Sequence, residues 1–260
     1  MIGFLVKKTF FDLWDNLFRI ALLNLGFIAS LAVPVFLPGL FTSPALFCAA
    51  LAVGTLWCAV YLAAAALSLR AVSDYGSFGF GDFARNLKEG WPAGLCMGAA
   101  VLILWAVVSI VIPFYLSVNS MIGLLLAAVI FWTLVLALLS LQFFFAVRAR
   151  LDSRLASVFR KCVIIFFDNP GLAVFSLLHN AVILAVSVLL ALLFPGPAGI
   201  LLYLDEALRL RLLKYDWLEA NPEAPVRSKR RAIPWDAILV EEREKTGTRS
   251  LKSFIFPWKD

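Results

Sequence analysis

All 23 lysines and arginines of this 260-residue chain fall in four stretches, and the blocks between those stretches are long and apolar. The stretches 1–20, 70–91 and 148–169 hold three, three and five of these bases, and the remaining twelve lie from Asp205 onward. Hydrophobic residues make up 62% of the chain and charged residues 15%, against about 45–50% and about 25% in a soluble domain. Five blocks are long enough to cross about 30 Å of hydrocarbon: Phe18–Leu40, Ala45–Leu69, Ala93–Leu116, Met121–Val147 and Leu172–Phe194. A sixth segment, Ala198–Leu213, has only Ile200–Leu204 as an apolar run before Asp205 and Glu206. The first block starts late and contains Pro34 and Pro38, so it reads as a span and not as a cleaved leader.

The connections between the basic stretches, LPGLFTSP, SVNS and PGPAG, carry no charge of either sign. The positive-inside rule then puts both termini in the cytoplasm and asks for an even number of crossings. The expected fold class is all-α: a polytopic membrane helical bundle of about six transmembrane helices, the sixth short, over residues 1–215. Amphipathic interfacial segments accompany it, and residues 216–260 form a cytoplasmic tail. The basic connections GDFARNLKEGW, RLASVFRKCVIIFFDNP and KKTFFDLWDNLFRI mix aromatics with charge. In the last, Phe10, Leu13, Trp14, Leu17 and Phe18 share helical spacing. These segments read equally as interfacial helices or as the ends of long spans. Phe18-Arg19, Phe83-Ala84-Arg85 and Phe159-Arg160 each precede an apolar hairpin, which outlines three similar units with Pro38, Pro113 and Pro195 at their outer ends.

Catalysis needs positioned acids, bases or nucleophiles, and the apolar blocks supply almost none. His179 is the single histidine. With Asn180 beside it, it reads as hydrogen-bonding glue between helices. No catalytic motif is present, and Cys48, Cys58, Cys96 and Cys162 form no CxxC pair. Neither an enzyme nor a cofactor or metal site is expected. Asp205 and Glu206 would lie near mid-membrane if their helix ran straight across, where acids are costly and usually functional; Arg209, four residues on, offers Asp205 an intrahelical pair. His179, Asn180, Asp205 and Glu206 are therefore the candidate intramembrane polar site. Asn24 and Asn119 read as interfacial.

The tail changes character after Tyr215. A proline-rich linker carries Arg227, Lys229, Arg230 and Arg231, a candidate contact for anionic lipid. A short helix after Pro234 presents Trp235, Ile238 and Leu239, and the chain closes with Leu251, Phe254, Ile255, Phe256 and Trp258. Trp235, Leu239, Leu251, Phe254, Phe256 and Trp258 form the candidate docking set. They have three possible seats: the membrane surface, the protein's own cytoplasmic face, or a groove on a membrane-transporter or cytosolic partner. Membrane lipids are expected partners, and nucleic acid is not.

The stretches LFRIALLNLGFIASLAVPVFLPG, FGFGDFARNLKEGW, FFFAVRARLDSRLASVFRKCVIIFFDNPG and GPAGILLYLDEALRLRLLKY, in that order, make residues 1–215 resemble the YesL-like family of bacterial integral membrane proteins. The family has no established activity, and its genes often lie beside those of carbohydrate ABC transporters. The resemblance implies a bacterial inner-membrane protein with an accessory role in transport, while the tail is an addition to the family pattern. The expected function is a non-catalytic accessory or scaffold subunit whose tail docks on the cytoplasmic side. The alternative is a small transporter or lipid-handling channel that uses a polar cleft near Asp205, Glu206 and His179.

Overall fold

A computed structural model of the chain describes residues 1–222, 233–247 and 249. Among these residues there is no strand. The helices are α1 (Ile2–Asp15), α2 (Leu17–Phe36), α3 (Pro44–Ser73), α4 (Phe80–Ala106), α5 (Ile112–Ser117), α6 (Met121–Leu141), α7 (Phe144–Arg150), α8 (Leu155–Asp168), α9 (Pro170–Leu189), α10 (Gly196–Ala220), α11 (Trp235–Ile238) and α12 (Val240–Thr246). The protein is an all-α polytopic bundle, with five segments long and apolar enough to cross a membrane: Leu17–Leu40, Pro44–Ser73, Phe80–Ser117, Met121–Arg150 and Pro170–Leu189.

The third span shows why the sequence divided where it did. GDFARNLKEGW is not a separate element; it forms the first turns of α4 and runs without a break through Pro92 into the apolar part. A π turn at Val107–Val111 then leads into α5, where Pro113 has no N–H to give the ladder. The other two amphipathic stretches are separate helices, α1 and α8, of 14 residues each. In α1 the buried face is Leu5, Lys8, Thr9, Phe11, Asp12 and Leu13. The set expected to share one helical face does not do so: Leu13 is buried and Trp14 exposed, while Leu17 and Phe18 follow the break at Asn16 and belong to α2. Lys8, Thr9 and Asp12 are buried on the same side as Leu5, Phe11 and Leu13.

Close approach of α3 and α4 depends on Gly90, Gly94 and Gly98, spaced four apart on one face. A Cβ on Gly94 would overlap the Val60 backbone, and one on Gly98 would crowd Leu56 and Ala59. Such small-residue seams let helices pack where lipid removes the hydrophobic drive between them. α2 meets α3 the same way, with Gly54 against Pro34.

The largest core lies where the basic stretches gather. Phe143, Phe144, Val147, Val158, Cys162, Tyr203, Leu208, Leu210 and Leu239 are buried there together. At the opposite, uncharged end the α5–α6 hairpin presents Ile122, Leu124, Leu125 and Trp132 to its surroundings, the pattern of a lipid-facing surface.

The sixth segment has an unexpected form. Its apolar run is short, but α10 itself has 25 residues and continues past residue 215 to Ala220. Its start lies well short of the uncharged end. Asn24, the eighth residue of α2, donates to the carbonyls of Leu193 (3.0 Å) and Pro195 (2.8 Å) and accepts from the Ala198 amide (3.0 Å). One turn of α3 fixes the level, since the Tyr61 hydroxyl donates to the Leu23 carbonyl at 2.8 Å. Tyr61 is 17 residues into the 30-residue α3, about 25 Å from its uncharged end. The α9–α10 hairpin therefore turns inside the charged half of the bundle, and Pro195 does not mark an outer end. Asn24 is correspondingly not interfacial but 1% exposed.

Candidate functional site: a buried ion network at the charged end

The network follows from where the helices end. α3 stops at Ser73, α7 stops at Arg150, and α10 passes both on its way from Gly196. Asp205 and Glu206 thus meet the ends of α3 and α7 and the side of α1, not the mid-depth of the spans. The mid-membrane placement expected from a straight crossing does not hold, because α10 begins part-way through the bundle.

Asp205 pairs with Arg150, whose Nε donates to Oδ1 at 2.9 Å and whose second terminal nitrogen donates to Oδ2 at 2.5 Å. The same guanidinium donates to Asp74 at 3.0 Å and to the Ser73 hydroxyl at 2.8 Å. The intrahelical Asp205–Arg209 pair does not form. Arg209 instead donates to Asp74 at 2.7 Å, to the Ser73 carbonyl, and to Glu242 of α12 at 2.7 Å. Glu206 accepts from Lys8 at 3.3 Å and from the Thr9 hydroxyl. Lys8 also pairs with Asp12 and donates to the Ser73 carbonyl at 3.2 Å. Lys8, Asp205 and Glu206 are all buried. Burial pulls the Lys8 ammonium down, but Glu206 and Asp12 raise it further and hold it above its ordinary value.

Tyr75 closes this assembly. It sits at φ +61°, a left-handed conformation that costs a bulky residue about 1–3 kcal/mol. Its ring lies under Lys8 (4.3 Å), Arg209 (5.1 Å) and Lys245 (5.6 Å). Its hydroxyl donates to Glu242 at 2.8 Å. Burial pushes the phenol up to about 12. No local signal in the sequence marks Tyr75, since its importance comes from three cations on three other elements.

His179 is elsewhere. Its ring stacks on Tyr203 at 4.1 Å and faces Phe175 at 6.1 Å, while His179 Nδ1 and Asn180 Oδ1 have no hydrogen-bond partner among the described residues. The contact of His179 with α10 is this stack on Tyr203. The expected four-residue polar site therefore divides: Asp205 and Glu206 join the ion network, and no hydrogen bond links His179 or Asn180 to them among the described residues. The described residues form no group of three or more His, Cys, Asp or Glu able to hold a metal ion.

A second polar knot fixes α8 and α9 to α10. Asp168 accepts from Lys214 (2.9 Å), Tyr215 (2.7 Å) and Asn169 (2.7 Å). Its half-buried position would raise its carboxyl, but the bonds from Lys214 and Tyr215 hold it below the usual range. Tyr215 is pushed up by burial and by that carboxylate.

The described part of the tail folds back on the bundle. Leu239 is fully buried in the main core and Trp235 packs against it, with the Arg211 guanidinium 5.7 Å above the indole. Glu242 reaches Arg209 and Tyr75, Thr246 meets Tyr75, Lys7 donates to the Gly247 carbonyl at 3.4 Å, and Arg249 forms a two-toothed pair with Asp15 at 2.9 Å. For Trp235 and Leu239 the seat is thus the protein's own charged end. Leu251, Phe254, Phe256 and Trp258 of the docking set, and the lipid-contact candidates Arg227, Lys229, Arg230 and Arg231, lie outside the described residues. Comparison with known proteins found no matching family model, no matching curated relative and no matching solved structure.

Proposed function

We propose that this protein is a non-catalytic accessory or scaffold subunit of a bacterial inner-membrane complex, associated with a carbohydrate transporter, with both termini in the cytoplasm. One observation carries the reading. Asp12, Asp74, Asp205, Glu206 and Glu242 are each bonded to Lys8, Arg150 or Arg209, and together they tie α1, α3, α7, α10 and α12 into one plate. Acids so paired serve rigidity and are poorly placed to exchange an ion or proton with a transport path. A rigid charged face with a folded-back tail suits a subunit that holds another protein. The orientation rests on the positive-inside rule, and the transporter association rests on the YesL-like resemblance of residues 1–215.

The test is crosslinking of the tagged full-length chain in native membranes, followed by quantitative mass spectrometry. The expected result is one integral membrane protein recovered in near-equal amount, and reduced when the chain ends at Gly247. Recovery of nothing beyond what an unrelated tagged membrane protein recovers would reject the scaffold role.

A second reading, a small transporter or lipid-handling channel, draws on the irregular backbone of residues 190–195 inside the charged half of the bundle. Interrupted helices at depth line substrate sites in many transporters. Here the exposed carbonyls are occupied by Asn24, and the Gly196 amide donates to the Ser187 hydroxyl at 2.9 Å, which favours the structural role.

A further inference from the structure

A crevice of about 380 Å³ opens between α2, α3 and the start of α4, at the charged end but apart from the ion network. Leu22, Leu23, Gly26, Tyr61, Phe80 and Phe83 form its walls, and Arg19 is the only charged residue lining it among the described residues. Arg19 is exposed, donates to the Asn16 side chain at 2.9 Å, and has no carboxylate partner among the described residues. Phe80 of the lining is 84% exposed, and Phe18, next to Arg19 in sequence, is 88% exposed.

This combination differs from an ordinary lipid-facing surface in two ways. The walls are concave and almost wholly apolar, so in a bilayer the volume is filled by hydrocarbon. The one cation stands at the end nearest the other basic residues, where headgroups lie, and its charge is not neutralised by the protein. Exposed aromatics beside it belong at the same depth. A cation above an apolar slot matches the outline of one phospholipid, with the phosphate at the guanidinium and an acyl chain below.

We infer that this crevice is a binding site for an anionic phospholipid, with one acyl chain between Leu22, Tyr61 and Phe83 and the phosphate held by Arg19. The site is independent of the scaffold reading, since none of its residues belongs to the ion network. Tyr61 shapes it: its hydroxyl is tied to the Leu23 carbonyl and its ring lies 5.2 Å from Phe83. Gly26 leaves room for that ring, and a Cβ there would overlap the Tyr61 hydroxyl.

The experiment places full-length protein in phosphatidylcholine nanodiscs that contain a trace of phosphatidylglycerol with a photoreactive acyl chain. Labels are mapped after irradiation. The expected result is labelling concentrated at Leu22–Gly26 and Phe78–Phe83 over the lipid-facing residues of α6. It falls about fivefold in Arg19→Gln, the effect of one cation at the headgroup layer, and by a similar factor when the probe carries a phosphatidylcholine headgroup. Even labelling across α2, α4 and α6 would overturn the proposal, as would labelling unchanged in Arg19→Gln. Labelling that appears only after removal of residues 250–260 would assign the crevice to the chain's own C-terminus and would also overturn it.

Discussion

Lys8 and Glu206 are 198 positions apart in sequence and meet as an ion pair of 3.3 Å in which neither side chain reaches solvent. The pair joins the first helix to the last long one, and it depends on α10 starting part-way through the bundle. Had α10 crossed from the uncharged end, Glu206 would lie among apolar side chains with no base at hand.

This geometry makes the two partners unequal. Lys8 answers both Glu206 and Asp12, so Lys8→Met leaves two buried carboxylates facing one another. It is expected to cost about 3–5 kcal/mol. Glu206→Gln keeps bonding partners in Thr9 and Lys8 and should cost about 1–2 kcal/mol. Thermal unfolding of the detergent-solubilised protein, followed by tryptophan fluorescence, checks the order. Equal losses would mean that Lys8 does not hold both Asp12 and Glu206.

Asn24 should behave as a local clamp. Asn24→Leu is nearly isosteric but leaves the Leu193 and Pro195 carbonyls and the Ala198 amide without their partner. Each buried unpaired group costs about 1–3 kcal/mol. Hydrogen exchange in residues 190–199 should accelerate well before that of α3 or α6. Unchanged exchange there would show that other groups satisfy this backbone.

The folded-back tail depends on Arg209 and Glu242. Arg209→Met or Glu242→Gln should open residues 235–247 to protease roughly tenfold faster, since bonds to charged groups are worth about 1.5–3 kcal/mol. Arg209 also bonds Asp74 and the Ser73 carbonyl, and Glu242 also bonds Tyr75, so the double variant should exceed either single one by less than the sum of the two. Additive effects would separate the two residues.

Alkali provides a test of Tyr75. Its folded pKa of about 12 lies above the ordinary 10.0. Its contribution is fully present below about pH 10 and is lost as pH rises from there through about 12. Lys8, also raised, acts in the same direction. Tyr75→Phe cannot ionise, so its stability should fall less steeply over this window than that of the wild type. Chemical denaturation at a series of alkaline pH values gives the slope. Identical slopes would place Tyr75 in solvent.

The five apolar spans were legible because hydrocarbon thickness sets their length and charge marks their ends. Leu17–Leu40 matches the expected block to within one residue, and Pro44–Ser73 extends one turn further. The seam of Gly90, Gly94 and Gly98 is visible in its four-residue spacing. Other features were hidden for physical reasons. Asp205 has an attractive partner at Arg209 by helical spacing, but Arg150 reaches it from a helix that ends at the same level, and no local pattern encodes that level. Asn24 resembled an interfacial residue because its partners are backbone groups of a segment 169 and more positions away. Helical spacing grouped Phe10, Leu13, Trp14, Leu17 and Phe18, but no local pattern encodes the break at Asn16 or the burial of Lys8 beside Leu13.

The central claim is that Asp205 and Glu206 belong to a closed structural network and not to a conduction path. The most direct measurement is proton and cation flux into liposomes reconstituted with the full-length protein, under an imposed pH gradient and an imposed potential. The account predicts flux no greater than in empty liposomes, and no change in Asp205→Asn/Glu206→Gln. A flux present in the wild type and abolished in that double variant would contradict it.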